Sequence, residues 1–574
     1  MPINNNLIAD IIEDYADLLD IDGSNPFKIR AYRQAARKIR SITEELAEMI
    51  KNGEDIKQFS GIGSGIAGKI EEIVRTGKLH QLEEVKEKVP SGLLEVLSLE
   101  GLGPERVKQL YHELDIRNID DLERALQKQR IRELEGFGPK TEENIRKSIK
   151  QKEQQGNRLF FNRAEEYAQP LLKYMKSLKE VKRAAIAGSY RRQRETIGDI
   201  DILVTGQDSA AIMDHFVNYD DVDDVIAKGE TKSSVHLLGE LQVDLRVVDE
   251  ESYGAALVYF TGSQDHNIQT RHIARQKGLK VNEYGVFKEE TGELVAGKTE
   301  EDVYAALDLP FILPELRENR GEIEAARQGK LPDLIELEDL KGDLQMHSNY
   351  SDGGATIKEM AEAAKKLGHE YIAITDHSQR VTIANGLSAD ELARQIDEID
   401  AVNEELDGFR ILKSVEVDIL EDGSLDLPDS ILKKLDLRVC CIHYKFNLSR
   451  EKQMKRLLTA MDNPYFNIWG HPTAREINKR NPIDVDMGKL MDAALEKGCF
   501  MEINSAPKRL DLHDVHCKMA KERGLKLSIS TDAHSPAQLP NLKYGINQAR
   551  RGWLEADDIL TTRSADELLK LLKR

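Results

Sequence analysis

The chain has few cysteines and no long apolar runs. Cys440, Cys441, Cys499 and Cys517 follow no repeated spacing, which excludes a disulfide framework and fits reduced thiols in a cytoplasm. No apolar run approaches the roughly 20 residues that a membrane span needs. The opening stretch MPINNNLIADIIEDYADLLD is acidic and amphipathic, with no basic region ahead of an apolar one, so it does not read as a secretory signal. Positive charge is also short: 82 Lys and Arg against 102 Asp and Glu leave a net charge of -20. Such a chain is not held to a polyanion by bulk electrostatics alone. Basic residues do concentrate locally, at Lys28, Arg30, Arg33, Arg37, Lys38 and Arg40. Backbone amides can also grip phosphates without any net charge.

At 574 residues the chain exceeds a single core, and about three to five domains are expected. Charged residues reach 32%, as expected of a soluble protein.

The most informative stretch is GSYRRQRETIGDIDILV, residues 188 to 204. Ala184 to Ala187 reads as the end of a strand, and Gly188-Ser189 lets the backbone approach and cradle a phosphate. Arg191, Arg192 and Arg194 suit a polyphosphate. After Gly198, Asp199 and Asp201 alternate along a strand and so share one face. Paired carboxylates repel unless a cation lies between them. Their hard oxygens suit Mg²⁺ or Mn²⁺. Asp244, in LQVDLRVV, adds a third carboxylate. Three on neighbouring strands could hold two ions about 3.5–4 Å apart, the arrangement for in-line phosphoryl displacement. A lone D-x-D would read as a solvated acidic strand; the ordered set reads as catalytic.

These residues resemble the nucleotidyltransferase superfamily and, within it, the family X DNA polymerases such as DNA polymerase beta. The likeness continues through YFTGSQDHNIQTRHIARQKGLKVNEYGVF, residues 259 to 287. It implies that Gly188, Ser189, Arg192 and Gly198 hold the triphosphate. Tyr259, Phe260 and Gly262 would meet the nucleotide sugar, and Asn267 and Arg271 would lie near the nascent pair. Gln264 and Gln242 depart from the beta enzyme, which carries an acidic residue and an arginine there.

Upstream, Gly61-Ile62-Gly63, Gly101-Leu102-Gly103 and Gly136-Phe137-Gly138 each precede a helical stretch. This is the helix–hairpin–helix pattern, in which glycines permit the turn and the following helix offers free N–H groups to a DNA phosphate. One such turn is commonly just a helix end; three indicate sequence-independent backbone binding. The first segment also resembles the N-terminal domain of the beta enzyme, which removes a 5′-deoxyribose phosphate through a lysine Schiff base. Lys69 matches the nucleophile, with Lys28 and Tyr32 as neighbours. Phe27 and Gly65 replace a histidine and a phosphate-binding lysine of that domain.

Beyond about residue 339 apolar runs alternate with helical stretches, the pattern of a parallel sheet or barrel. Asp376-His377, Glu416, His443, His471, Glu502, Asp532 and His534 fall at or near the ends of successive runs. In αβ barrels that rim carries the active site. With His347 and Asp352 these residues resemble the polymerase and histidinol phosphatase (PHP) family, a distorted (β/α)7 barrel that hydrolyses phosphate esters. The ligands the resemblance implies are His347, Asp352, His377, Glu416, His443, His471, Asp532 and His534. Gln345 replaces the first histidine of the family's His-x-His. Imidazoles mixed with carboxylates suit Mn²⁺ or Zn²⁺. His369, His513 and His516 lie on helical stretches and read as surface residues.

The expected protein is therefore multidomain, α+β and α/β. An end-binding helical domain spans 1–75, and a second helix–hairpin–helix subdomain spans 76–155. The palm follows at 156–250, with a nucleotide-selecting subdomain at 251–317. A linker at 318–338 leads to the PHP unit at 339–574. The resemblance implies a cytoplasmic, monomeric repair polymerase acting on gapped or nicked DNA and deoxynucleoside triphosphates. Asp199 and Asp201 would bind both palm metals, and Asp244 would help activate the primer 3′-OH. The PHP unit would add a Mn²⁺-dependent 3′–5′ exonuclease. Its rivals are a PHP unit acting only as scaffold, a template-independent nucleotidyltransferase and a non-catalytic end-binding module.

Overall fold

The computed structural model describes residues 3, 5–42, 46–59, 61–99, 101–155, 158–238 and 241–573. The N-terminal part is helical. α1 (Asn5–Ile21) packs along α2 (Pro26–Ser41), and α3 (Ser64–Thr76), α4 (Pro104–Leu114) and α5 (Pro139–Gln155) follow the three glycine turns. Each turn is built alike. Gly61, Gly101 and Gly136 take φ of 90°, 84° and 77°, a left-handed backbone that favours glycine. The apolar middle residues, Ile62, Leu102 and Phe137, are buried, and their N–H groups bond back to Phe59, Leu99 and Leu134. The basic concentration on α2 is partly neutralised: Arg33 pairs with Asp17 and Asp20, and Arg40 with Asp10 and Glu13.

The palm adds α6 (Phe161–Ser177) and five strands: β1 (Val181–Ile186), β2 (Asp199–Gly206), β3 (Val222–Lys228), β4 (Lys232–Leu237) and β5 (Gln242–Val247). Their order is β1-β2-β5-β4-β3, and only β2 and β5 run parallel. α7 (Tyr253–Thr261) and α8 (Gln264–Gln276) follow, with a small antiparallel sheet between Leu279 and Ala296.

The C-terminal part holds two parallel sheets. One orders β6 (Gly342–Met346), β7 (Tyr371–Ile374) and β8 (Arg410–Lys413); the other runs β9 (Glu416–Asp418), β10 (Val439–Cys441), β11 (Ile468–Trp469), β12 (Phe500–Asn504) and β13 (Leu527–Ser530). β8 leads through Ser414 and Val415 directly into β9. At the other edge Met346 bridges Ala533, and Asp532 N–H donates to the Gln345 carbonyl. The two sheets thus meet at both ends, compatible with a distorted (β/α)7 barrel.

Residues 318–338 hold a short helix, Glu322–Arg327, and are packed rather than free. Ala326 and Leu334 join the apolar cluster around Tyr304, which also takes in Trp553 from near the C-terminus. Ile477, Leu510 and Tyr544 likewise enter the palm's core. Of the histidines expected at the surface, His369, His513 and His516 are all half-buried. His513 caps the helix Asp514–Arg523 and lies 2.9 Å from Asp514, so packing of that helix end, not catalysis, explains it.

Candidate active sites

In the palm, the parallel register sets Asp201 directly opposite Asp244, with Asp199 opposite Gln242. The alternation of β2 leaves Asp199 exposed and Asp201 half-buried on the same face, while the intervening Ile200 is buried in the core. Burial, together with Asp199 and Asp244, pushes the Asp201 carboxyl up to about 6. A divalent cation between the three would remove that repulsion, so the donor set fits hard metal ions. Burial works the same way on Asp244, but Lys232, Gln242 and Ser234 outweigh it and hold the carboxyl below its usual range. Lys232 Nζ stands 2.7 Å from one Asp244 oxygen and Gln242 Nε2 is 3.0 Å from the other. Lys232 was not legible as a site residue: it sits twelve positions away and reaches Asp244 only because β4 pairs with β5.

Gly188 has φ 63°, and a Cβ there would lie 2.7 Å from Asp201 Oδ2, so no other residue fits this turn without displacing a carboxylate. The buried Ser189 hydroxyl beside it has no hydrogen-bond partner. Gly198 is crowded by Arg158, whose guanidinium bonds Thr196. Tyr259 and Phe260 meet edge-to-face at the end of α7, ahead of Gly262 with φ 67°. Asn267 Nδ2 donates to the Tyr259 carbonyl at 2.7 Å, and the exposed Arg271 donates to the Asn267 carbonyl.

Arg192 is nearly buried and already engaged. Its Nε lies 3.0 Å from Glu318, and Nη1 bonds the Thr261 carbonyl. Glu318 is also held at 3.0 Å by Arg551, which donates at 2.7 Å to the Arg192 carbonyl and lies 2.7 Å from Asp514. Three residues on, Glu195 pairs with Arg475 at 2.7 Å. The loop that carries Arg192 and Glu195 is therefore held from the C-terminal unit. Removing one partner of a buried pair typically costs about 3–5 kcal/mol, because charges are left uncompensated. Arg551→Ala is expected to lower thermal stability and raise the KM for nucleotide about tenfold, roughly 1.4 kcal/mol. Arg551→Lys should restore little, since an ammonium cannot fork between Glu318 and Asp514. Steady-state extension kinetics and thermal melting check this; an unchanged KM counts against it.

At the N-terminal end, Tyr15 and Tyr32 rings meet at 5.1 Å, and the ammonium groups of Lys28 and Lys69 each lie 5.7–6.0 Å from both. Burial, then Lys28, lowers the Lys69 pKa. At the hairpins, Gly63 and Gly103 open α3 and α4 without a side-chain cap, and Gly138 precedes α5.

The C-terminal ligand set converges on one rim. Glu416, 1% exposed, is its hub. His347 Nε2 and His377 Nδ1 lie 3.3 and 3.1 Å from its Oε2; His443 Nε2 and His471 Nε2 lie 3.1 and 2.8 Å from its Oε1. His347 also faces Asp532 at 3.2 Å, and Asp352 faces His534 at 3.4 Å and His377 at 3.7 Å. Both ring nitrogens of His347, His377 Nδ1, His471 Nδ1 and Glu416 Oε2 are buried without a hydrogen bond of good geometry. Buried lone pairs left unbonded among clustered imidazoles and carboxylates are what a cation site requires, so the set fits divalent metal ions. Burial raises the Glu416 pKa, but the facing imidazoles outweigh it and keep the carboxylate ionised. Burial opposes a proton on His443, yet Glu416 and Asp418 raise it to about 9; His377 is driven down to about 3 chiefly by burial. Asp418 orients His443 through Nδ1 at 3.1 Å. His471 and Asp532 hold positive φ, 28° and 55°, strain of the kind found at functional sites.

Asp376 and Glu502 do not join the ligands. Asp376 is fully buried and accepts from Ser348, Ser351 and Gln395. Glu502 accepts from the His471 N–H and from Asn504. Gln345, with its amide nitrogen turned toward acceptors, donates to Glu502 as well, at 3.0 Å to Oε2.

Family models match successive parts of the chain from residue 3 to residue 505. A helix-hairpin-helix domain covers 3–79 and a SAM-like helix-hairpin-helix tandem covers 93–151. The DNA polymerase beta palm covers 162–254, the DNA polymerase beta thumb 256–318 and the PHP domain 343–505. The "DNA polymerase/3'-5' exonuclease PolX" of Bacillus subtilis (strain 168) is 40% identical over 569 residues, 99% of each chain. The chain belongs to the family X DNA polymerases that carry a PHP domain. The PHP part alone is similar to a probable phosphatase of Thermoanaerobacter sp. (strain X514), 32% identical over 232 residues, 38% of this chain and 90% of the relative. A probable phosphatase of Caldanaerobacter subterraneus subsp. tengcongensis is 32% identical over 190 residues, 31% and 70%. Membership implies use of divalent metals, DNA and nucleotides. Among the described residues no helix is long and apolar enough to cross a membrane.

Proposed function

We propose that this family X polymerase fills short gaps in DNA during repair, and that its PHP unit degrades 3′ ends as a Mn²⁺-dependent 3′–5′ exonuclease. The observation that carries the reading is the pairing of Asp201 with Asp244 across parallel strands, in a site whose residues are wholly separate from the imidazole-rich rim around Glu416. Divalent ions, when bound, supply charge stabilisation to the transferring phosphoryl group in both sites. Mg²⁺ or Mn²⁺ suits the oxygen-only palm, and Mn²⁺ or Zn²⁺ suits the rim. In the palm, Asp199, Asp201 and Asp244 would hold the ions, and Asp244 would draw the primer hydroxyl into line. Gly188, Ser189, Arg192 and Gly198 would receive the triphosphate; Tyr259, Phe260, Gly262, Asn267 and Arg271 would select the nucleotide. Gly61, Gly63, Gly101, Gly103, Gly136 and Gly138 would seat DNA phosphates without reading bases. In the rim, His347, Asp352, His377, Glu416, His443, His471, Asp532 and His534 would hold the ions against a terminal phosphodiester. A labelled gapped primer, with and without nucleotides, in Mg²⁺ or Mn²⁺, tests both halves: lengthening only with nucleotides, shortening without them, and shortening more responsive to Mn²⁺. The same PHP unit also steadies the palm loop, so a scaffold role and hydrolysis are compatible.

A second activity is favoured by the Lys28–Lys69–tyrosine cluster. A Schiff base needs a neutral amine, and burial with a neighbouring cation disfavours the protonated form of Lys69. Borohydride reduction on DNA bearing a 5′-deoxyribose phosphate should trap a covalent adduct in the parent and not in Lys69→Ala. Equal trapping by both would sink lyase chemistry at Lys69.

A further inference from the structure

Of the four cysteines, Cys441 alone faces the PHP metal rim. Cys440, its neighbour on β10, turns the other way into the layer with Trp469 and Met501. Cys499 Sγ lies against the carbonyls of Phe466, Met461 and Lys497 at 3.7–3.9 Å, and Cys517 Sγ against that of Leu512 at 3.6 Å. Cys441 instead points into the barrel, above a floor of Leu344, Leu412, Val439 and Ile468, and is fully buried. Its sulfur, a Glu416 oxygen and a His471 ring nitrogen lie within 4.8 Å of one another. Room for it is made by Gly470: a Cβ there would stand 2.5 Å from Cys441 Sγ.

The two groups beside the sulfur carry buried atoms that no hydrogen bond satisfies. His471 is 2% exposed and its Nδ1 has no partner; Glu416 Oε2 is also buried and unbonded. Donors bound to one zinc ion, at about 2.1 Å for nitrogen and 2.3 Å for sulfur, stand no more than about 4.4 Å apart. A mutual spacing within 4.8 Å is compatible with one ion held among the three groups. A thiolate is a softer donor than the imidazoles and carboxylates elsewhere on the rim, and it selects zinc-like ions over manganese.

We propose that Cys441 is a metal ligand of the PHP centre, giving the position held by Glu416 and His471 a sulfur donor and a preference for Zn²⁺. The inference rests on the reading of the rim as a metal centre. Metal binding displaces the thiol proton, so uptake at this position releases a proton to solvent. The other positions keep nitrogen and oxygen donors only and stay open to Mn²⁺. One centre then holds two kinds of ion, a tightly kept one and an exchangeable one.

Cobalt substitution of the full-length protein separates this inference from the reading beneath it. Co²⁺ added to the metal-free protein is expected to give visible ligand-field bands together with a near-ultraviolet thiolate-to-cobalt charge-transfer band. Cys441→Ser and Cys441→Ala should keep the first and lose the second. Zinc content after dialysis should fall by one equivalent per chain, with affinity at that position reduced by at least about a hundredfold, beyond what losing even an outer partner costs. Ligand-field bands without charge transfer in the parent overturn the sulfur ligand and leave the metal centre standing. A charge-transfer band that survives both variants assigns the sulfur to another cysteine and also overturns it. Absence of all bands in the parent overturns the metal centre itself. Because the parent spectrum alone can refute the assignment, misfolding of a variant does not protect it; circular dichroism identifies that case.

Discussion

Asp201→Ala is expected to abolish primer extension, by at least about a thousandfold or roughly 4 kcal/mol in the barrier. Asp201 stands opposite Asp244 in the parallel register and shares its face with Asp199, so it borders both other carboxylates. Deleting it leaves two carboxylates for two ions, and in-line displacement loses the ligand common to both. The loss should appear in kcat more than in nucleotide binding, because Gly188, Ser189 and Arg192 remain. The same residue predicts a pH dependence. Its carboxyl is held up to about 6 by burial and by Asp199 and Asp244, so below that pH a proton competes with the cation. Extension should therefore decline as pH falls through about 6, and added Mg²⁺ should restore it, since mass action on the ion opposes protonation. In Asp201→Ala at neutral pH, degradation of a 3′ end should persist, because Asp201 is not among the rim residues. Near-parental extension by Asp201→Ala, on gapped substrate at saturating metal, would remove the palm assignment.

Glu416→Gln is expected to abolish 3′-end degradation by a comparable factor, at least about a thousandfold. Glu416 is the carboxylate that His347, His377, His443 and His471 all face, at 2.8–3.3 Å. The amide has the same shape, so packing should survive, but it is a neutral and weak ligand. With it goes the anionic charge that offsets a bound cation beside neutral imidazoles. Metal content of the purified variant should drop along with degradation, which distinguishes lost binding from a blocked chemical step. Extension should stay within about twofold, a difference of roughly 0.4 kcal/mol, because Arg551, Arg475 and Asp514 still hold the palm loop. If Glu416→Gln degrades DNA like the parent, the PHP unit is a scaffold and the nuclease lies elsewhere.

The contrast between these two variants also explains why the scaffold reading and the nuclease reading need not compete. Arg551 reaches the palm from a helix that carries no rim residue, whereas Arg475 follows the rim residue His471 by four positions. Substitutions on the palm-facing side should therefore move nucleotide affinity, and substitutions on the rim should move degradation.

Much of this was legible in order along the chain. Gly-Ser, the arginines, Gly-Asp-x-Asp and the later Asp244 identify the palm, because a phosphate turn followed by a period-two strand needs only local sequence. The three glycine turns are legible for the same reason: a left-handed residue, a buried apolar residue and an uncapped helix start are adjacent positions. Most of the rim residues lie shortly after the end of a strand. Other features came from pairing between distant segments, and no single stretch signals them. Lys232 meets Asp244 through strand pairing, and Gln345 meets Glu502 from the other C-terminal sheet. Glu318 meets Arg192 across 126 positions and Arg551 across 233. The stretch 318–338 read as a linker because its charges look solvated; Glu322 is in fact buried against His266 at 2.7 Å. Sequence by itself determined the residue types, their spacing and the faces they share, since side-chain alternation and turn geometry are local properties. Only the tertiary structure decided which charges meet, which thiol lies beside Glu416 and His471 and which domain holds the loop of Arg192, because burial and pairing depend on chain segments that the sequence keeps far apart.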